Sequence, residues 1–394
     1  MNKTIGSILM IIGTSVGAGM LALPLVTAHS SISLSILVLT AAWLLMTCGA
    51  LALLEVNLWL PADCNLITMA KHTLGRWGQM SMWLLYLLLL YSLVCAYLSG
   101  SGDILKSLLD QHSAFNMPLW LATMISLALF ICIVYRGIRA VDLTNRVLMS
   151  VKCLAYTGLV IALMPHIQLP KLYQGDFQWH HTAFMVMITA FGYAIIIPSL
   201  RPYLDSNRQR LIKVVAIGSL IPWAVYLLWI VVVQGLLPRT GTHGLLHILH
   251  SAQPNGALML ALSSVIHSAW LANVSKLFIS ICVVTSFLGV SICLVDFLAD
   301  GLQYRKQGRQ GIAVFSTAFL PPLCIVLIKP ALFVLALHYA GIWCICILSV
   351  LPILMLYAGR YRQMRQGKTI LPGGKILLWI ALLANAIVFV FLFK

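Results

Sequence analysis

The stretch from Gly13 to Pro24, GTSVGAGMLALP, sets glycines at 13, 17 and 19 inside an apolar run from about Thr4 to Thr27. Each glycine in a helix interior costs up to roughly 1 kcal/mol against alanine. At membrane depth, unwound backbone is tolerated only where it is buried in protein or lines a water-filled cavity. Such a break offers free amides that suit a carboxylate and free carbonyls that suit an ammonium or a metal cation. Thr14, Ser15, Gly17, Ala18 and Gly19 are therefore candidate ligand-binding residues. The spacing of Gly13 and Gly17 equally suits close approach of a neighbouring helix, and the stretch alone leaves both readings open.

A second interruption falls in AFGYAIIIP, residues 190–198, where Gly192 and Pro198 break another apolar segment. It lies five segments after the first, so the two interrupted helices cross the membrane in opposite senses. Paired interruptions in corresponding halves point to an inverted-repeat transporter with a site near the bilayer midplane. Phe191, Gly192, Tyr193 and Ala194 join the candidate site on that ground, with Tyr97 of the third segment as a further ring wall.

Ionisable groups inside the membrane are expensive and generally functional. Lys152 lies about 11 residues into the fifth segment, roughly 16 Å from its start at 1.5 Å per residue. Two roles are open to it: an ion pair tying helices together, or a titrating group that carries a proton. Glu55, near the inner end of the second segment, reads as a structural tie. Asp296 and Asp300 close the eighth segment on the same side, and Asp300 is placed to reach Lys3 as an inner gate. His180 and His181 fall at an outer interface, where solvated histidines are the plain reading.

The elements that must position these groups follow from composition. Of 394 residues, 61% are hydrophobic and 9% charged, and mean hydropathy is +0.99. Soluble domains carry about 25% charged residues, so this is an all-α polytopic membrane protein. The net charge of +16 reflects basic residues in short loops between apolar segments and implies no nucleic-acid partner. Ten cysteines sit almost entirely in apolar runs, without the CxxC spacing of a metal site. The first segment is too long and too glycine-rich for a signal peptide.

Eleven segments of about the 20 residues that a bilayer needs are expected at 4–28, 32–56, 79–108, 118–135, 141–165, 181–203, 211–237, 271–303, 312–328, 332–357 and 375–393. Residues 57–78 read as an interfacial loop with a short amphipathic helix. Residues 238–270 read as a longer loop with two short helices, an outer lid. With the N-terminus inside, 19 of the 25 lysines and arginines lie on the cytoplasmic side. That bias puts the N-terminus in the cytoplasm and the C-terminus in the periplasm.

GTSVGAGMLALP, LALLEV ending the second segment, TSFLGVSICLVDFLAD in the eighth and FLPP in the ninth resemble the bacterial tyrosine- and tryptophan-specific permeases. These form the hydroxy and aromatic amino acid permease family of the amino acid/polyamine/organocation superfamily. The similarity runs over nearly the whole chain, including Pro372 to Gly374 before the last helix. It implies a leucine-transporter-like fold of two inverted five-helix repeats, here 1–165 and 181–357, with an eleventh helix at 375–393. Also implied are proton-driven uptake of an aromatic amino acid, tyrosine first and then tryptophan or phenylalanine, no cofactor beyond the coupling proton, and function as a monomer in the bacterial inner membrane.

Carried over by residue, the resemblance sharpens the coupling site. Sodium-coupled relatives of the fold read GNAVGLGN where this chain reads GTSVGAGM, so an asparagine that holds sodium is replaced by Met20, a poor ligand for a hard cation. A second sodium site would use the carbonyls of Gly13 and Val16 with the hydroxyls of Thr285 and Ser286. There Lys152 can take the ion's place, as a lysine does in proton-coupled or ion-independent relatives. One departure concerns the substrate: FGYAIIIPS stands where the permeases commonly read FGFHGSVPS. Ala194 replaces a histidine, and Ile195 and Ile196 make the pocket more apolar. Outside transport, an enzyme of similar composition would need convergent catalytic groups, and a channel would need pore-lining rings. Neither pattern is visible.

Overall fold

The computed structural model describes residues 3–62, 64–112, 117–136, 138–176, 180–265, 268–305, 307–364 and 369–392. Asp63 of the second loop and Lys306, Arg365, Lys368 and Lys394 of the charge bias fall outside them.

The chain is helical throughout, and its one β-bridge among the described residues joins Ser30 and Asp176. Eight of the described helices are long and apolar enough to cross a membrane. A bent pair, α1 (Lys3–Ser15) and α2 (Ala18–Val26), makes a further span if taken together. Two shorter apolar helices, α5 (Leu119–Tyr135) and Gly374–Val390, stand where the fourth and last segments are expected. The other long elements are α3 (Ile32–Trp59), α4 (Leu66–His112) and α6 (Ile138–Leu163). A single turn, α7 (Leu169–Leu172), leads to the sixth segment, α8 (His181–Ala190) and α9 (Ile197–Tyr203), followed by α10 (Arg208–Leu236).

The expected outer loop carries α11 (Leu245–Leu249) and α12 (Pro254–Val265). Beyond it lie α13 (Ala269–Leu302), α14 (Gly308–Ile328), α15 (Phe333–Ile345), α16 (Leu351–Tyr357) and α17 (Gly374–Leu392). Between α15 and α16 the helix widens into one π turn, Cys346–Val350, just ahead of Pro352, whose nitrogen has no hydrogen to give.

The third segment departs from expectation. The short helix of the 57–78 loop and the third span are joined into α4 across Gly75, whose φ of +77° breaks the helical path. Glycine takes that conformation at no steric cost. Apolar side chains face outward as well as inward: Leu154 is 75% exposed and Ile328 84%. A surface of that kind is what lipid requires. Inside, α15 packs on α4 and α8, α13 on α6 and α4, and α1 on α10.

The inner side is held by charge. Glu55 is the tie its position suggests: its carboxylate accepts two bonds of 2.7 Å from Arg360 and two from the amides of Ile370 and Leu371. Arg201, at the end of α9, donates to the carbonyls of Asn57 and Leu60 that finish α3. A cation there also meets the negative end of the helix dipole. The expected Lys3–Asp300 gate is corrected. Lys3 pairs instead with Asp205, at 2.8 Å, in the turn after α9, while Asp300 is exposed at the end of α13. Both acids lie at inner helix ends, and the turn after α9 is the one that reaches the start of α1.

Candidate functional site: two helix breaks and a buried lysine

The first break is confined to Val16 and Gly17, and it bends the chain by 53° between α1 and α2. Gly17 has φ −155° and ψ −151°, extended backbone open to any residue. What excludes a side chain is proximity: a Cβ on Gly17 would run into Oγ of Ser286 on α13. That hydroxyl accepts a 2.9 Å bond from the amide of Ala18, satisfying one of the donors left open at the start of α2. The amide of Gly17 makes no hydrogen bond among the described residues. The Ser15 hydroxyl, on a residue only 4% exposed, also has no partner.

On the carbonyl side of the break lies Lys152. It is 1% exposed, and its ammonium donates to the carbonyl of Val16 at 2.5 Å and to Oγ1 of Thr285 at 3.3 Å. Thr285 passes its own hydrogen to the carbonyl of Ile281 at 2.8 Å, leaving a lone pair for the lysine. No carboxylate pairs with Lys152 among the described residues. A fixed cation thus joins α6, the break and α13.

Two members of the expected set stand apart from it. Gly13 is absent from the hydrogen bonds of Lys152 and faces Met149 of α6. Ser286 serves the Ala18 amide rather than the ammonium. Thr14, expected at the substrate, is exposed and donates back to the carbonyls of Met10 and Ile11. A threonine inside a helix commonly does this. Gly19 rests against Ala190, with 3.7 Å between its Cβ position and Cα of Ala190, so the two breaks touch.

The second break is gentler. From Gly192 to Ile196 the chain winds as a 3₁₀ helix between α8 and α9. Phe191, Tyr193 and Ala194 are fully buried. Phe191 packs its ring 5.1 Å from that of Tyr226, and Tyr193 gives its hydroxyl to Thr47 of α3 at 3.0 Å. Tyr193 is therefore committed to α3, which corrects its assignment as an open ring wall. Gly192 faces the Cys344 sulfur of α15. Tyr97 is buried on α4.

Sequence reasoning missed Tyr226 of α10. Its hydroxyl lies 2.7 Å from the carbonyl of Ser15 and 2.8 Å from that of Ala190. These are the last residues of α1 and α8, the two halves that run into the breaks. The available signal was a phenol inside the apolar run AVYLLWIVVV, since a buried tyrosine hydroxyl finds a partner. At the outer side, the His29 ring, just past α2, lies 4.7 Å from that of His180 at the start of α8, and 6.5 Å from that of His250.

Many apolar spans around an interrupted, cation-bearing centre define a multi-pass membrane protein built to handle a small polar solute. The chain belongs to the tryptophan/tyrosine permease family, whose profile matches residues 1–392. It is 33% identical over 363 residues to tyrosine-specific transport system 1 of Haemophilus influenzae, covering 91% of this chain and 89% of that protein. To a tryptophan-specific transport protein of the same organism it is 30% identical, covering 91% and 88%. To glutamine transporter 2 of Aliivibrio fischeri it is 26% identical, covering 97% of each.

Proposed function

We propose that this chain is a secondary active importer of an aromatic amino acid, tyrosine first and then tryptophan or phenylalanine, working by proton symport and alternating access. The observation that carries the coupling is the Lys152 ammonium held by Val16 and Thr285 at the first break. A cation fixed there performs the task of a bound sodium ion, bridging α1, α6 and α13. Loss of its proton toward the cytoplasm loosens that bridge, and ion occupancy and conformation are then linked in the manner coupling demands. The substrate carboxylate is assigned to the open Gly17 amide and Ser15 hydroxyl, and the aromatic side chain to the space beside Phe191 and Tyr97. In this reading residues 1–165 and 181–357 are two inverted five-helix repeats of a leucine-transporter-like fold, with 375–393 added. The protein works as a monomer in the bacterial inner membrane, N-terminus cytoplasmic and C-terminus periplasmic.

The test is uptake of labelled tyrosine into proteoliposomes under an imposed pH gradient, with and without external sodium. Unlabelled tryptophan, phenylalanine and glutamine serve as competitors, because both aromatic amino acids and glutamine appear in the names of relatives. Accumulation should follow the pH gradient and ignore sodium. Accumulation that needs sodium, or that only glutamine suppresses, would sink the reading.

A further inference from the structure

Counting hydrogens at Tyr226 exposes an imbalance. Its hydroxyl oxygen and the carbonyl oxygens of Ser15 and Ala190 form a group of three acceptors. The phenol supplies the one hydrogen among them, since a tyrosine hydroxyl has one O–H and two lone pairs. If that hydrogen goes to one carbonyl, the other carbonyl and the phenol oxygen both remain short of a donor. All three residues are buried, Tyr226 completely. Both carbonyls close helix halves, where the dipole adds negative potential. Lys152 is committed next door, to Val16 and Thr285, and donates to none of the three.

We infer that Tyr226 is a substrate-contacting residue that sets specificity for a primary ammonium: its phenol oxygen and the Ser15 and Ala190 carbonyls together receive the N–H groups of the substrate's α-amine. This rests on the amino acid reading above. An ammonium brings three hydrogens and a positive charge, which is what the group lacks. On binding, the phenol hydrogen stays on one carbonyl, and the ammonium donates to the other carbonyl and to the phenol oxygen. No proton is transferred. Because the hydroxyl is held from α10 and grips the ends of both α1 and α8, the amine is recognised only while the two breaks are together.

The test compares ligands with and without the amine. Purified full-length protein in lipid nanodiscs binds labelled L-tyrosine, competed by unlabelled L-tyrosine and by 3-(4-hydroxyphenyl)propionate, which lacks the amino group. Tyr226→Phe keeps the ring packed on Phe191 and removes one oxygen. It should lower the ratio between the two affinities by about tenfold or more, the scale of a hydrogen bond to a charged group. A merely structural role would weaken both ligands alike, and an unchanged ratio overturns the inference. Should the variant not fold, the wild-type protein decides: N,N,N-trimethyl-tyrosine keeps the charge without N–H donors and should bind at least tenfold more weakly than tyrosine, while equal binding overturns the inference. If the wild type binds no aromatic amino acid, that reading fails by itself. Glutamine and glutaramic acid, its des-amino counterpart, then run the same comparison.

Discussion

The two breaks are built by different means. The first is abrupt and polar: the chain turns 53° at Val16–Gly17, and every group around it is a cation, a hydroxyl or an unspent backbone atom. The second is gradual and apolar, one 3₁₀ stretch from Gly192 to Ile196 that passes from α8 into α9. Its side chains, Phe191, Tyr193, Ala194 and Ile195, bring one polar atom, and that atom is spent on Thr47. A break made by a close contact tolerates no side chain. A break made by winding does, because no atom presses on its glycine. The difference assigns ion and carboxylate chemistry to the first break and shape recognition to the second.

The largest effect expected from this contrast is steric. Gly17→Val drives a side chain into Oγ of Ser286 and removes the cap on Ala18. Overpacking of this kind costs roughly 1–3 kcal/mol, so uptake of tyrosine into proteoliposomes should fall on the order of 100-fold. Gly192→Ala makes the matched change at the other break. Its Cβ would stand 3.4 Å from the Cys344 sulfur, an ordinary contact, and Gly192 does not have a positive φ. Uptake should stay within about twofold, since compatible substitutions cost little. Equal damage from the two variants would erase the distinction between the breaks.

Next in size is the cation. Lys152→Ala strips the Val16 carbonyl and the Thr285 hydroxyl of their donor. Hydrogen bonds to a charged group contribute about 1.5–3 kcal/mol each, so accumulation driven by a pH gradient should drop by at least about tenfold. Exchange of internal for external tyrosine should decline less, because the substrate contacts assigned above do not include Lys152. If the alanine variant still concentrates substrate under a pH gradient, Lys152 is only a helix tie. The proton must then take another route, and Glu55, already occupied by Arg360 and two amides, is a poor candidate for it.

The sequence carried the first break more fully than the second. Three glycines in seven residues are a local signal, legible because a helix pays for each of them. The apolar spans were legible for a similar reason, since lipid demands about 20 apolar residues at a stretch. Lys152 declared its depth by arithmetic, whereas its partners came by resemblance. Long-range pairings were another matter. Lys3 meets Asp205 across 202 positions, and Arg360 meets Glu55 across 305. Charge placement fixes the side of the membrane and leaves the choice among several acids to packing. Tyr193 and Tyr226 show the same limit, because two phenols in apolar runs differ only in which neighbours the fold brings to them.

The smallest expected effect lies where the outer halves of the two broken helices meet. His29 follows α2, and His180 begins α8. Arg239 braces the same corner by donating to the carbonyls of Ala28 and Gln174. Burial holds the His29 imidazole below its ordinary value of 6.5; His180, His250 and Arg239 add to that effect, and Asp176 opposes it. A histidine with a lowered value binds its proton more weakly in the folded protein than in the unfolded chain. Its contribution to stability is therefore whole above pH 6.5 and is lost as pH falls below it. The melting temperature of the purified protein should drop as pH is lowered from 7.5 to about 5.5, and His29→Asn should flatten that slope while leaving uptake at pH 7.5 nearly unchanged. An acid slope that survives the substitution would remove His29 from this corner's pH response. The outer halves would then be joined by packing and Arg239 alone, and the contrast between the breaks would end at the midplane.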